Sequence, residues 1–270
     1  MLPPGSPNIR QHIVRSLKMC PANVFFPRNF MNKFKSLFSY FSKAELALWI
    51  SSVALIVVSF CIFDRSSYLI LAASVIGATS LIFNAKGNAV GQILMVIFSV
   101  LYGIVSFSFA YYGEMITYLG MTAPIAVLAV ISWLKNPYQG NRAEVKVNTL
   151  TKKEIFFIIF LTVFVTAVFY FILKAFHTAN LIPSTISVTT SFLAAYLTFR
   201  RSSCYALAYA ANDIVLIVLW ILATIENISY LSMVICFATF LINDLYGFIS
   251  WSKMKKRQSV SDVGQVNITR

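Results

Sequence analysis

Among its 270 residues the chain has only two histidines, His12 and His177, and four cysteines, Cys20, Cys61, Cys204 and Cys236. No two cysteines form a CxxC pair, so neither a disulfide framework nor a thiolate metal site is expected. Single cysteines inside helical runs behave as small apolar residues. Both histidines lie outside the apolar runs, which leaves metal-based catalysis almost without ligands. H-E-x-x-H, G-x-S-x-G and a Walker loop are all missing, so no enzyme and no cofactor are expected. Charge is scarce as well: Asp, Glu, Lys and Arg make up 11% of the chain, against roughly a quarter in soluble domains.

What fills the chain is apolar, at 59% hydrophobic residues and a mean hydropathy of +0.76. Runs long enough to cross a hydrocarbon core of ~30 Å recur along it. Eight are read: Leu46–Phe63, Tyr68–Phe83, Val90–Tyr112, Met115–Leu134, Ile155–Leu173, Ile182–Phe199, Tyr205–Ile225 and Ile228–Trp251. The fold class is therefore an all-α integral membrane protein with eight transmembrane helices. Of the 22 Lys and Arg, only Arg65 and Lys174 fall outside the segments that become cytoplasmic when both termini are placed inside, leaving 20 within them. That bias is the positive-inside rule, and an odd number of spans would put one basic terminus on the wrong side. It predicts a multi-pass protein of the cell inner (cytoplasmic) membrane. The net charge of +13 then reports orientation and contact with anionic lipid, and no nucleic acid is expected.

Residues 1–43 are polar and basic, with Pro3, Pro4, Pro7, Pro21 and Pro27 breaking any long helix. They read as a disordered arm without the apolar core of a signal peptide. Met31-Asn32-Lys33-Phe34-Lys35 is the expected start of the mature protein. Residues 44–253 form the transmembrane domain, and 254–270 a cytoplasmic tail.

An internal repeat organises that domain. Ile131-Ser132-Trp133-Leu134-Lys135 ends span four and Ile249-Ser250-Trp251-Ser252-Lys253 ends span eight, an offset of 118 from Trp133 to Trp251. The same offset pairs Tyr112 with Tyr230 and Met115 with Met233, and it lays spans two to four on spans six to eight. The repeats are about 66–135 and 184–253, giving one extra helix, three helices, a linker helix and three helices (1+3+1+3). Parallel triplets of this kind are a transporter plan, with the substrate site between them near the midplane. The plain alternative is interface anchoring by an aromatic and a lysine. A second match, Leu101-Tyr102-Gly103 with Leu245-Tyr246-Gly247, would relate spans of opposite direction and is set aside.

Two Asn-Asp pairs, Asn212-Asp213 and Asn243-Asp244, lie inside apolar runs. A carboxyl at bilayer depth costs roughly 2.5–3.5 kcal/mol on insertion scales, so two of them point to a polar site between helices. Steps of three and four place Asn88, Gln92, Met95, Ser99, Tyr102 and Ser106 on one face of span three, and Ser232, Cys236, Thr239, Asn243, Tyr246 and Ser250 on one face of span eight. In span seven Tyr205, Tyr209 and Asn212 align beside Asp213, and span four begins with Glu114, followed by Thr117, Tyr118 and Met121. The substrate-contact candidates are Tyr209, Asn212, Asp213, Asn243, Gln92, Tyr205, Tyr246, Asn88 and Thr239. Asp244, Trp251, Trp133, Glu114 and Tyr102 are assigned structural or gating roles. The competing role for such residues is hydrogen bonding between helices, and the Gly87-Asn88-Ala89-Val90-Gly91 stretch reads as helix packing. Lys and Arg sit at span ends or in loops, so no cation is at hand to clamp a phosphate in the membrane interior. Aromatic faces with amide and carboxyl groups suit a planar ring carrying a sugar, neutral or cationic.

Tyr205-Ala206-Leu207-Ala208-Tyr209-Ala210-Ala211-Asn212-Asp213 and Asn243-Asp244-Leu245-Tyr246-Gly247-Phe248-Ile249-Ser250-Trp251, on the eight-span layout, resemble the Pnu family of bacterial vitamin transporters over about residues 44–253. The second stretch is similar to the family's N-x-x-Y-G signature. The first resembles the W-x-x-W-x-x-N-D pattern of the nicotinamide riboside branch in part: Asn212 and Asp213 match, Tyr209 stands at the second Trp, and Ala206 replaces the first. The resemblance implies facilitated diffusion of nicotinamide riboside through a fold rocking around a central site, with a cytoplasmic kinase trapping the substrate by phosphorylation. It implies Tyr209 stacking on the ring, Asn212, Asn243 and Gln92 bonding the ribose or amide, and a homotrimer. The departure at Ala206 keeps a deoxynucleoside, thiamine or riboflavin open as cargo. An ion-coupled transporter is the nearest rival, since intramembrane carboxyls also relay ions, and a receptor or structural role is the other.

Overall fold

The structure is a computed structural model that describes residues 40–109, 111–178 and 180–268, with side chains as far as Asp262. The expected N-terminal arm, its Met31 start and His12 lie outside the described residues, apart from 40–43. Chain contacts separate residues up to Ala47 from Leu48–Arg270. Of the first unit the described part opens helix α1 (Lys43–Phe63). Ser42 N–H donates to Glu45 Oε2 at 2.7 Å and Glu45 N–H to Ser42 Oγ at 3.3 Å, a reciprocal cap that satisfies two otherwise orphaned donors.

Among the described residues eight helices are long and apolar enough to cross a membrane, and each overlaps one of the runs read from the sequence. After α1 come α2 (Tyr68–Ala85) and α3 (Ala89–Ser108). Span four is α4 (Tyr112–Thr117), a π-helical turn (Tyr118–Thr122) and α5 (Ala123–Lys135). A short hairpin, β1 (Pro137–Tyr138) with β2 (Asn141–Val145), precedes α6 (Lys152–Ala175). Then follow α7 (Leu181–Phe199), α8 (Tyr205–Glu226), a 3-10 turn (Ile228–Tyr230) and α9 (Leu231–Ile268).

The helices differ in what they bury. Only 11% of the apolar window of α6 is buried inside the protein, against 56% for α2 and α8. Phe156, Phe160, Val163 and Phe171 of α6 all point outward, a face suited to lipid tails as solvent. Thr151 and Glu154 cap its start reciprocally. By contrast α2, α3, α8 and α9 carry the buried core, including Phe98, Tyr102, Leu216, Trp220 and Phe237. Small residues permit the close approach: a Cβ on Gly91 would meet Asn84 Oδ1 of α2 at 2.2 Å. Gly87 turns the chain with a φ of 70°, so of the expected glycine pair one packs and one turns.

The two Ile-Ser-Trp motifs do the same work. Ser132 Oγ donates to Phe199 O at 3.0 Å and Trp133 Nε1 to Thr198 O at 3.0 Å. Ser250 Oγ donates to Ala85 O at 2.8 Å and Trp251 Nε1 to Asn84 O at 2.7 Å. In both places a Ser-Trp pair donates to last-turn carbonyls, of α7 and of α2, where Thr198 O and Asn84 O also accept the backbone N–H of Arg201 and Gly87.

Three features depart from or extend the sequence reading. The linker after span four carries a hairpin, turned by Gln139 and Gly140 with φ of 48° and 78°, the pair of positive values a type I′ turn needs. The stretch after Trp251, expected as a tail, continues as helix. Its Gln258 accepts from Val147 N at 2.8 Å and donates to Glu144 Oε1 at 2.8 Å and Val145 O at 3.0 Å. Span four is interrupted by a π turn because Pro124 has no N–H to give to Gly120, and the ladder widens just before it.

Candidate functional site

Five segments meet around a narrow buried cavity lined by Gly77 and Leu81 of α2, Met95 and Phe98 of α3, Tyr118 of the π turn, Tyr209, Asn212 and Asp213 of α8, and Phe237, Phe240 and Asp244 of α9. About 20 Å³ of it is open to the centre of a water molecule, room for roughly one water. Aromatic rings form most of its wall. Phe240 packs edge-on to Phe98 and to Phe237, each with ring centroids 5.6 Å apart. The only polar wall is the stretch of α8 and α9 that carries Asn212, Asp213, Tyr209 and Asp244.

Asn212 is held by α7. Its Oδ1 accepts from Thr190 Oγ1 at 2.8 Å, Ser191 Oγ at 2.9 Å and Ser187 Oγ at 3.4 Å. Three donors exceed the two lone pairs of an amide oxygen, so the Nδ2 end is the one not committed to α7. Asp213 and Asp244 are 4% exposed each and share the cavity wall; Asp213 Oδ2 has no partner. Lys and Arg are absent from the lining. The cationic groups lie at the helix ends, where burial and then the Arg200 guanidinium lower the pKa of Arg201.

Of the substrate-contact candidates, Tyr209, Asn212 and Asp213 line the cavity, joined by Asp244 from the structural group. The others are spent elsewhere. Gln92 Nε2 donates to Asn84 Oδ1 at 2.8 Å. Asn243 Nδ2 donates to Ser52 Oγ of α1 and to Thr239 O, both at 2.8 Å, while its Oδ1 is buried without a partner. Thr239 returns its hydroxyl to Ile235 O, Asn88 caps α3 by accepting from Val90 N, and Tyr246 is half-buried away from the lining. Gln92 and Asn243 thus join helix to helix, the competing role for amides in a membrane, Thr239 bonds back within its own helix and Asn88 closes a turn.

Aromatic groups close the cavity on both sides. Toward the basic ends of the helices Tyr205 packs on Trp251 at 4.8 Å, Tyr209 at 6.2 Å and Trp133 at 6.5 Å, and Trp133 lies 5.3 Å from Trp251. On the other side Tyr102 packs on Tyr118 at 4.5 Å, and on Phe98 and Phe237 at 5.5 Å each, with Trp220 bonded to its hydroxyl. Glu114 is buried beyond them, its Oε2 accepting from Ser187 Oγ at 3.3 Å. Counting polar residues missed Phe98, Phe237, Phe240, Gly77 and Leu81. The spacing of Phe237, Phe240 and Asp244 along one helical face was the available signal. Among the described residues no group of His, Cys, Asp and Glu is arranged to hold a metal.

The family profile described as "Nicotinamide mononucleotide transporter" matches residues 67–253. The chain is 28% identical over 204 residues to the nicotinamide riboside transporter PnuC of Neisseria mucosa, across 73% of this chain and 77% of that one. It is also similar to the crystal structure of the vitamin B3 transporter PnuC, with a TM-score of 0.71 and 26% identity, across 81% of this chain and 94% of the other. A multi-pass helical protein with a polar cavity between its spans and a family match over more than half its length, this chain is a membrane transporter and belongs to the nicotinamide mononucleotide transporter family.

Proposed function

We propose that the chain imports nicotinamide riboside by facilitated diffusion across the cytoplasmic membrane, with both termini inside, and that phosphorylation in the cytoplasm traps the cargo. The observation that carries this reading is the cavity itself: a cage of Phe98, Tyr118, Tyr209, Phe237 and Phe240 with two carboxyls and no cation. A ring cation on an aromatic face gains roughly 0.5–2 kcal/mol, and the carboxyls add favourable potential. The same wall disfavours a mononucleotide, whose phosphate finds no Lys or Arg to bind. The aromatic groups on both sides hold the cavity closed, and opening one group at a time, with the cavity widening for cargo, is alternating access.

The parallel triplets support that motion. Tyr102 and Trp220, and likewise Trp133 and Trp251, stand at equivalent positions of the two proposed repeats and touch, as residues beside an axis between the repeats do. The resemblance carries a homotrimer, and the outward faces of α1 and α6 are available to lipid or to other copies.

Purified protein in liposomes tests the reading with nicotinamide riboside, its mononucleotide, thiamine, riboflavin and deoxynucleosides. Saturable uptake of the riboside alone, equilibrating without an ion gradient, is the expected result. Preference for another cargo reassigns the substrate. Two carboxyls, Asp213 and Asp244, in one cavity wall favour one second reading, ion coupling, and accumulation above the outside concentration only under a proton or sodium gradient would establish it.

A further inference from the structure

Glu114 lies outside the cavity lining, in the first turn of span four, and is 2% exposed. Its Oε2 has one long hydrogen bond, from Ser187, and its Oε1 has none. It takes no part in the ion pairs that join described residues, which involve Lys146, Arg200 and Arg257. A buried carboxyl in a membrane span is expensive and is ordinarily paired. Helix packing does not account for this one, since a single hydroxyl contact to α7 leaves half the group unused.

Its neighbours point to a ligand. Glu114 and Tyr118 fall at i and i+4, on one helical face, and Thr117 beside them also has a buried hydroxyl without a partner. Tyr102 of α3 packs on the Tyr118 ring at 4.5 Å. Ser187, which donates to Glu114, also reaches Asn212 Oδ1. Glu114 is thus one side chain removed from the cavity along two routes, through Tyr118 and through Ser187 to Asn212. It stands at the end of span four remote from Lys135 and the basic loop that follows.

We infer that Glu114 is a charge-selecting residue: when the aromatic group on that side opens, a planar cationic ring passes its unpartnered carboxyl oxygen, beside the Tyr118 ring, before reaching the central cavity. This rests on the proposed nucleoside reading of the cavity. The unpartnered oxygen supplies the attraction, the rings supply stacking faces, and a neutral ring of the same shape gains only the stacking.

The test is uptake into liposomes of nicotinamide riboside, whose ring is cationic, and of its dihydro form, whose ring is neutral, by the wild type, Glu114→Gln and Glu114→Asp. Glu114→Gln is expected to lower kcat/KM for the cationic form roughly tenfold and to leave the neutral form within twofold, with Glu114→Asp restoring most of the preference. An equal loss for both forms in Glu114→Gln means a structural role and overturns the inference. No loss for either form overturns it as well, while the central-site reading stands. A wild type that carries neither form removes both.

Discussion

Trp220 Nε1 donates a 2.9 Å hydrogen bond to the Tyr102 hydroxyl, 118 residues away, and the same separation joins Trp133 to Trp251, whose rings meet at 5.3 Å. One pair closes each side of the cavity. Both pairs are buried, so the Trp220–Tyr102 bond is made with almost no water to compete for it.

Removing either partner strands the other. Tyr102→Phe and Trp220→Phe are each expected to destabilise the protein by about 1–3 kcal/mol. The double variant should lose clearly less than the sum. Thermal unfolding in detergent measures this, and strictly additive losses would show that the bond contributes nothing.

Tyr209 supplies a ring and Asn212 a polar end. Tyr209→Ala should lower affinity for the cargo by the stacking contribution, about 0.5–2 kcal/mol or up to ~30-fold, while Tyr209→Phe keeps it within a few-fold. Asn212→Ala should abolish binding and also cost stability, because Thr190 and Ser191 lose their shared acceptor. Ligand-induced shifts in melting temperature separate the two; full affinity in both alanine variants would remove the proposed site.

Gly77 keeps the cavity open. An added Cβ would lie 2.4 Å from Phe240 Cζ and 3.0 Å from Phe98 Cδ2, and the ring edges have only the cavity to move into. Gly77→Ala should cost about 1–3 kcal/mol of stability by overpacking and suppress uptake severely. Normal transport kinetics would mean that the cargo does not use this space.

Gln258 bonds three groups of the linker, whereas Lys146–Asp262 is an exposed ion pair at 3.1 Å. Exposed pairs contribute little, ~0–1 kcal/mol. Gln258→Ala is therefore expected to speed tryptic cleavage at Arg142 and Lys146, and Asp262→Ala to change it little. The opposite order would place the anchor in the charges.

Some of the site was legible and some was not, for identifiable reasons. Tyr209, Asn212 and Asp213 share a stretch of span seven where polar groups interrupt an apolar run, and an unpaired carboxyl there is too expensive to be incidental. Gln92 and Asn243 satisfy the same rule but turn to Asn84 and Ser52. Helical spacing says which residues share a face and is silent about which neighbour the face meets. Phe98, Phe237 and Phe240 were invisible because an aromatic residue in an apolar span looks alike whether it faces lipid, core or cargo. The hairpin at Gln139-Gly140 is short enough to vanish among loop residues.

The number of spans, their approximate positions and the serine–tryptophan motifs at two span ends follow from the sequence alone. A helix satisfies its own backbone in hydrocarbon, and its length and apolar content are local properties. Packing decided the rest: that Trp133 and Trp251 hydrogen-bond carbonyls of α7 and α2, that Asn212 is held by the Thr190 and Ser191 hydroxyls of α7, and that five aromatic rings and two carboxyls enclose one cavity. These depend on the rotation of each helix about its axis and on its neighbours, set by contacts between residues far apart in the chain.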